Sequence, residues 1–79
     1  MIYFIQPEAG GPVKIGYASN LRNRASNIQT GTWIPLVVRC VMEGDIAVEK
    51  MIHAKFAELR IRGEWFAPEK QLLDFIKTP

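Results

Sequence analysis

The sequence predicts an α+β fold: a small three-stranded, mainly antiparallel sheet flanked by three helices in the order β-β-α-β-α-α, as one domain over residues 1–79. Three observations carry this. Two short β-rich runs, "IYFIQ" and "VKIGY", stand on either side of a Gly/Pro loop. Two later segments place apolar residues at helical spacing behind residues suited to cap them. A chain of 79 residues, 48% hydrophobic and 23% charged, is long enough for one core and too short for two.

The first run, "MIYFIQ", is β-branched and aromatic and ends at Pro7, as a strand does. "PEAGGP" turns the chain. In "VKIGYA", Val13, Ile15 and Tyr17 alternate with Lys14 and Gly16, so a second strand has one apolar face. Paired as a hairpin, the two strands put Ile2 and Phe4 on that face and Tyr3 on the other, with Lys14 and Gly16. In "SNLRNRASNIQTG", Ser19 or Asn20 suits the N-cap, Gly31 falls past the end, and Leu21, Ala25 and Ile28 form a narrow stripe. The third strand begins after Pro35 in "LVVRCVM". "DIAVEKMIHAKFAELR" is the clearest helix, capped by Asp45, with Val48, Ile52, Phe56 and Leu59 as its core stripe. "RGEWFAPEK" breaks the pattern. Pro68 then suits the first turn of a last helix with Leu72, Phe75 and Ile76 inward. So small a sheet needs cover on both faces.

Several function classes drop out. Cys40 is the only cysteine, so the chain forms no internal disulfide and no Cys-based zinc site. Its apolar setting is that of a buried thiol in a reducing compartment, and the expected location is the cytoplasm. No apolar run approaches the ~20 residues that span a bilayer, and the first residues lack the basic leader of a signal peptide. There is no GxGxxG, no phosphate-cradling loop with Lys-Ser/Thr and no nucleophile in a recognisable setting, so nothing supports a small-molecule enzyme. The net charge of +2 permits nucleic-acid binding without demanding it; position matters more than the total.

Four places carry groups with chemistry. Tyr3 and Lys14 share a face, where a cation favours the phenolate and Gly16 leaves room for an approach to the backbone; the plainer alternative is a half-buried tyrosine with a lysine reaching solvent. Arg24 borders the apolar stripe of its helix, so its planar fork points across the adjoining surface, a geometry suited to phosphate, whereas Arg22 is rotated toward water. Glu49 and His53, at i and i+4, share a helix face. A carboxylate there can hold Mg²⁺ with waters and phosphate oxygens, and the spacing also suits a zinc pair. Otherwise Glu49 serves the helix N-terminus and His53 is a packed ring. In "GEWF", Trp65 and Phe66 either stack on bases or anchor an irregular segment to the core.

The order of these signals, "IYF", a Gly/Pro loop, "VKIG", "NLRNRASNIQTG", "VEKMIHAKF" and "GEWF", resembles the GIY-YIG nuclease superfamily. It is most similar to the phage and bacterial branch, in which the second motif begins with Lys. The resemblance runs from Ile2 to about Phe66 and implies the same three-stranded fold. By this resemblance Tyr3 is the general base with Lys14 lowering its pKa, and Lys14, Ile15 and Gly16 form the second motif. Arg24 stabilises charge on the phosphate, and Glu49 is the metal ligand for one divalent ion, Mg²⁺ or Mn²⁺. His53 and Trp65 match supporting features of the branch. Met1 and Ile2 stand where the first motif carries its glycine, and no Asn follows Asn27, so the surroundings of the phosphate differ from the family pattern there.

The resemblance implies a metal-dependent DNA endonuclease or the catalytic module of one. The alternative is a non-catalytic nucleic-acid-binding or interaction module on the same scaffold, against which the joint presence of Tyr3, Lys14, Arg24 and Glu49 argues. The low net charge predicts few phosphate contacts and salt-sensitive binding. Affinity for DNA is then expected from a separate DNA-binding domain, a protein partner or self-association.

Overall fold

A computed structural model describes residues 1–77. Strand β1 (Ile2–Pro7) is followed by β2 (Val13–Tyr17), α1 (Leu21–Thr30), β3 (Leu36–Met42) and α2 (Ile46–Lys55). A 3₁₀ turn (Ala57–Leu59) leads into β4 (Arg60–Arg62) and β5 (Trp65–Phe66), and α3 (Lys70–Lys77) completes the order. The strands form one antiparallel sheet in the order β3-β1-β2-β5-β4. β1 is therefore an interior strand although it comes first, and the hairpin it makes with the central strand β2 is the framework.

The α+β class agrees with the sequence, but the sheet has five strands rather than three. The additional pair lies in "RIRGEWF". Gly63 adopts φ +55° in the two-residue turn, a backbone setting that other residues reach only at a cost, and so lets β5 fold back on β4. The strands are too short and too exposed to show a hydrophobic period of their own. They are held by pairing Val13 with Phe66 and Lys14 with Trp65. The last helix also begins later than expected: Pro68 precedes it by two residues rather than sitting in its first turn.

Each face of the sheet has its own core. On one, Ile2, Phe4, Val13, Ile15 and Phe66 pack with Ile52 of α2, Phe56 just past its end and Leu72 of α3, and Tyr17, Cys40, Val48, Leu59, Phe75 and Ile76 close around them. On the other, Tyr3, Ile5 and Ala18 pack against Leu21, Ala25 and Ile28 of α1 and Leu36. The predicted stripes of all three helices are thus the packed ones. α1 is capped by Asn20, whose Oδ1 accepts from the Asn23 N–H at 3.1 Å, and α2 by Asp45, whose Oδ1 accepts from the Val48 N–H at 3.0 Å.

A bulge between Phe4 and Ile5 leaves Arg39 unpaired in the β1–β3 ladder. Its side chain donates instead to Gln6 Oε1 at 2.9 Å and to the Glu8 carbonyl at 3.2 Å, clamping the start of the hairpin loop. Among the described residues no helix is long and apolar enough to cross a membrane.

Removing the α2 cap in Asp45→Ala is expected to cost about 1 kcal/mol, a drop in Tm of about 4–8 °C for a chain of this size, read by thermal melting. Asn23→Ala, which spares the Asn20 cap oxygen and leaves the backbone donor in place, should melt like the parent.

Candidate functional site

β1 and β2 are in register with Tyr3 directly opposite Gly16. A Cβ at position 16 would collide with Oη and Cζ of Tyr3, so the phenol ring lies across the bare backbone of Gly16. The space Gly16 provides is thus filled by Tyr3 itself rather than left for a ligand. The ring is wholly buried, 0% exposed, on the face covered by α1. Its Oη has no hydrogen-bond partner. A buried hydroxyl left unpaired costs about 1–3 kcal/mol, and a native fold seldom carries one without a reason.

Charged groups from three other elements act on this oxygen. Burial raises the phenol's pKa above its ordinary value of 10.0, and the Glu64 carboxylate, from the β4–β5 turn, raises it further. Arg24 on α1 opposes both, through its charge and by approaching the phenol closely enough to favour the phenolate, though short of full hydrogen-bond geometry. Glu49, in the first turn of α2, adds a smaller raising effect. Arg24 and Glu49, from two different helices, therefore both act electrostatically on the Tyr3 oxygen.

Lys14 does not fill the role expected of it. It shares the Tyr3 face but stands opposite Ile5, and its Nζ makes an ion pair with Glu64 at 3.1 Å. It also lies over the Trp65 ring, 5.5 Å from the centroid. The expectation that Lys14 lowers the phenol's pKa is corrected: the net shift is upward, because burial and Glu64 dominate and the opposing cation is Arg24.

His53 lies on the other side of β2. Its Nε2 meets the Ile15 carbonyl at 2.9 Å and its Nδ1 meets Arg60 Nη2 at 3.2 Å. A guanidinium only donates, so Nδ1 accepts and Nε2 carries the proton given to Ile15. The ring also packs on Phe66, with centroids 5.1 Å apart. His53 thus ties α2, which carries Glu49, to the strand that carries Gly16. Of the "GEWF" aromatics, Phe66 anchors the core as its alternative reading had it, while Trp65 faces the α1 side beside Lys14.

The T5orf172 domain model matches residues 1–78, nearly the whole chain. The chain belongs to the T5orf172 domain family. This is a nuclease-related family, which agrees in kind with the motif order of the sequence. No curated protein and no solved structure shows significant similarity to the chain.

In this T5orf172 domain the donor set bears on whether a metal can be held. Among the described residues no three His, Cys, Asp or Glu side chains gather, and both nitrogens of His53 are engaged, so the zinc-pair reading loses its second ligand. Glu49 is different. It is half-buried, makes no ion pair among the described residues and lies within electrostatic reach of the Tyr3 oxygen. A single half-buried carboxylate without an ion-pair partner is the kind of ligand a hydrated Mg²⁺ or Mn²⁺ accepts. Glu64 is the residue the sequence reading missed. The Gly-X turn signal inside "RIRGEWF" would have found it, since a hairpin there carries its turn residue back beside the second strand.

Tyr3→Phe removes an unpaired hydroxyl and nothing else, so it should leave stability unchanged or raise it, measured by urea unfolding. Because the folded pKa is raised, the folded state holds the proton more tightly than the unfolded chain. The parent should then lose stability as pH rises from about 10 toward the folded value, and Tyr3→Phe should lack that part of the loss. Gly16→Ala must displace the ring and is expected to cost about 1–3 kcal/mol.

Proposed function

We propose that this T5orf172 domain is a metal-dependent DNA endonuclease of the GIY-YIG type, in the phage and bacterial branch, hydrolysing a phosphodiester at the locality of Tyr3, Arg24 and Glu49. The observation that carries this reading is the buried, unpartnered Tyr3 oxygen with a guanidinium and a free carboxylate in electrostatic reach. Such an arrangement works against stability, and phosphate hydrolysis gives it a use.

In this reading Arg24 binds the non-bridging oxygens of the scissile phosphate and stabilises the charge that builds there. Being exposed, it is free to shift from the phenol toward substrate. Once Arg24 is drawn off the phenol, Oη would open to the attacking water; Tyr3 would orient that water and, as phenolate, take its proton while the water oxygen bonds to phosphorus and the bond to the 3′ oxygen breaks. Glu49 would hold one divalent ion, Mg²⁺ or Mn²⁺, which as a Lewis acid would support the leaving oxygen. Lys14 becomes available to a phosphate when that phosphate competes with Glu64 for it. His53 positions α2 through the Ile15 carbonyl. The site would act on DNA in the cytoplasm, with a further DNA-binding domain or a protein partner adding affinity, since a net charge of +2 gives few phosphate contacts.

Supercoiled plasmid with Mg²⁺ or Mn²⁺ tests the reading. The parent should nick it, while Glu49→Ala, Arg24→Ala and Tyr3→Phe should each lose at least about a hundredfold in rate, the usual scale for one acid–base or electrostatic group. The rate should climb about tenfold per pH unit on the alkaline side of neutrality, because the phenol's pKa is raised and only the phenolate accepts the proton. DNA binding without nicking, across both metals and a range of salt, would instead make this a non-catalytic binding module.

A further inference from the structure

On the face shared with Tyr3, a groove of about 370 Å³ opens where the hairpin loop meets the C-terminal end of α1. Pro7, Ile28, Ile34 and Leu36 supply apolar walls, Trp65 one flat side, and Asn27 a polar edge. The Asn27 amide has no partner among the described residues, so both its donor and its acceptor are available. The next loop residue, Trp33, stands between two residues that line the groove and is 90% exposed.

An exposed tryptophan on a floppy loop would mean little. This loop is pinned. Gln29 Nε2 donates to the Ile34 carbonyl at 2.9 Å and to the Thr32 carbonyl at 3.3 Å, and its Oε1 accepts from the Leu36 N–H at 2.8 Å. The Ile34 N–H also donates to Thr32 Oγ1 at 3.2 Å. The fold therefore spends four hydrogen bonds on a segment whose largest side chain touches almost nothing.

The groove lies on the same face as the proposed phosphate site, and its Asn27 stands one helical turn beyond Arg24 on α1. Tyr3, Ile5 and Pro7 succeed one another on one face of β1, and each step of two residues covers roughly 7 Å. Trp65 links the two places, because it pairs with Lys14 on one side and with Arg62 on the other. Lys14 lies over the ring, and Arg62, exposed and in no ion pair among the described residues, pairs with Trp65 along the neighbouring strand. Two indoles, an amide edge and neighbouring cations are what an unstacked base with its phosphates requires.

We propose that this groove takes an unstacked nucleobase of the DNA strand whose phosphate lies at Tyr3 and Arg24, so that the preferred substrate has a single-stranded or frayed segment beside the scissile bond. This rests on the nuclease reading for the identity of the strand, but base docking is measurable without cleavage.

The experiment uses the whole chain in metal-free buffer with chelator, and two probes: oligothymidylate of about ten nucleotides and a blunt duplex of the same length. Oligothymidylate is expected to quench tryptophan emission and to bind several-fold more tightly than the duplex. Trp33→Ala should weaken oligothymidylate binding about tenfold, leave duplex binding and the melting curve as in the parent, and be rescued by Trp33→Phe. A parent chain that docks bases but fails to nick plasmid overturns only the nuclease reading. Equal binding of oligothymidylate by the parent and Trp33→Ala overturns base docking, whether or not plasmid is cut. So does a concentration-dependent dimer that Trp33→Ala dissolves without changing oligonucleotide affinity, because the groove would then receive a second copy of this chain.

Discussion

The contact between the Tyr3 ring and the backbone of Gly16 is the constraint on which the rest of the structure turns. It sits at the middle of the β1–β2 hairpin, and β2 is the central strand. A residue with a side chain opposite Tyr3 would push the ring out of the sheet face. The ring in turn is the floor on which α1 packs with Leu21, Ala25 and Ile28. One missing Cβ therefore settles the depth of the phenol, the seat of the helix that carries Arg24 and the burial that raises the phenol's pKa.

The two faces of the sheet divide the labour. The face against α2 and α3 is a continuous apolar core, with Phe4, Phe56 and Phe75 meeting at centroid distances of 5.3 and 6.0 Å along the chain of rings. The α1 face has a smaller core and carries Tyr3, Lys14 and Trp65. His53 joins the two by reaching β2 from α2 and bonding the carbonyl next to Gly16. Glu49 acts on the Tyr3 oxygen electrostatically although it belongs to a helix whose apolar side packs into the other core.

The electrostatics of the site are those of competition. Glu64 holds Lys14 and also makes ionisation of Tyr3 harder; Arg24 makes it easier. Lys14 is held in an ion pair with Glu64, while burial and Glu64 keep the phenol's pKa raised. Binding of an anion between Arg24 and Lys14 would alter both relations at once, since the ligand would replace Glu64 as the partner of the lysine.

Most of the architecture is written in local patterns. Alternation in "VKIGY", the caps Asn20 and Asp45, and the helical stripes ending at Ile28, Leu59 and Ile76 depend on neighbours within a turn or a strand, and they determine the α+β class and which residues face inward. The same alternation puts Tyr3 with Gly16, because a two-stranded hairpin leaves little choice of register. What the sequence alone did not decide was anything that required distant segments to meet. The β4–β5 pair exists because β2 offers an edge to it, and only that pairing carries Glu64 to Lys14. Whether the phenol's pKa fell or rose depended on the sum of burial, two carboxylates and one guanidinium drawn from four parts of the chain. That sum is a property of packing, and no run of adjacent residues contains it.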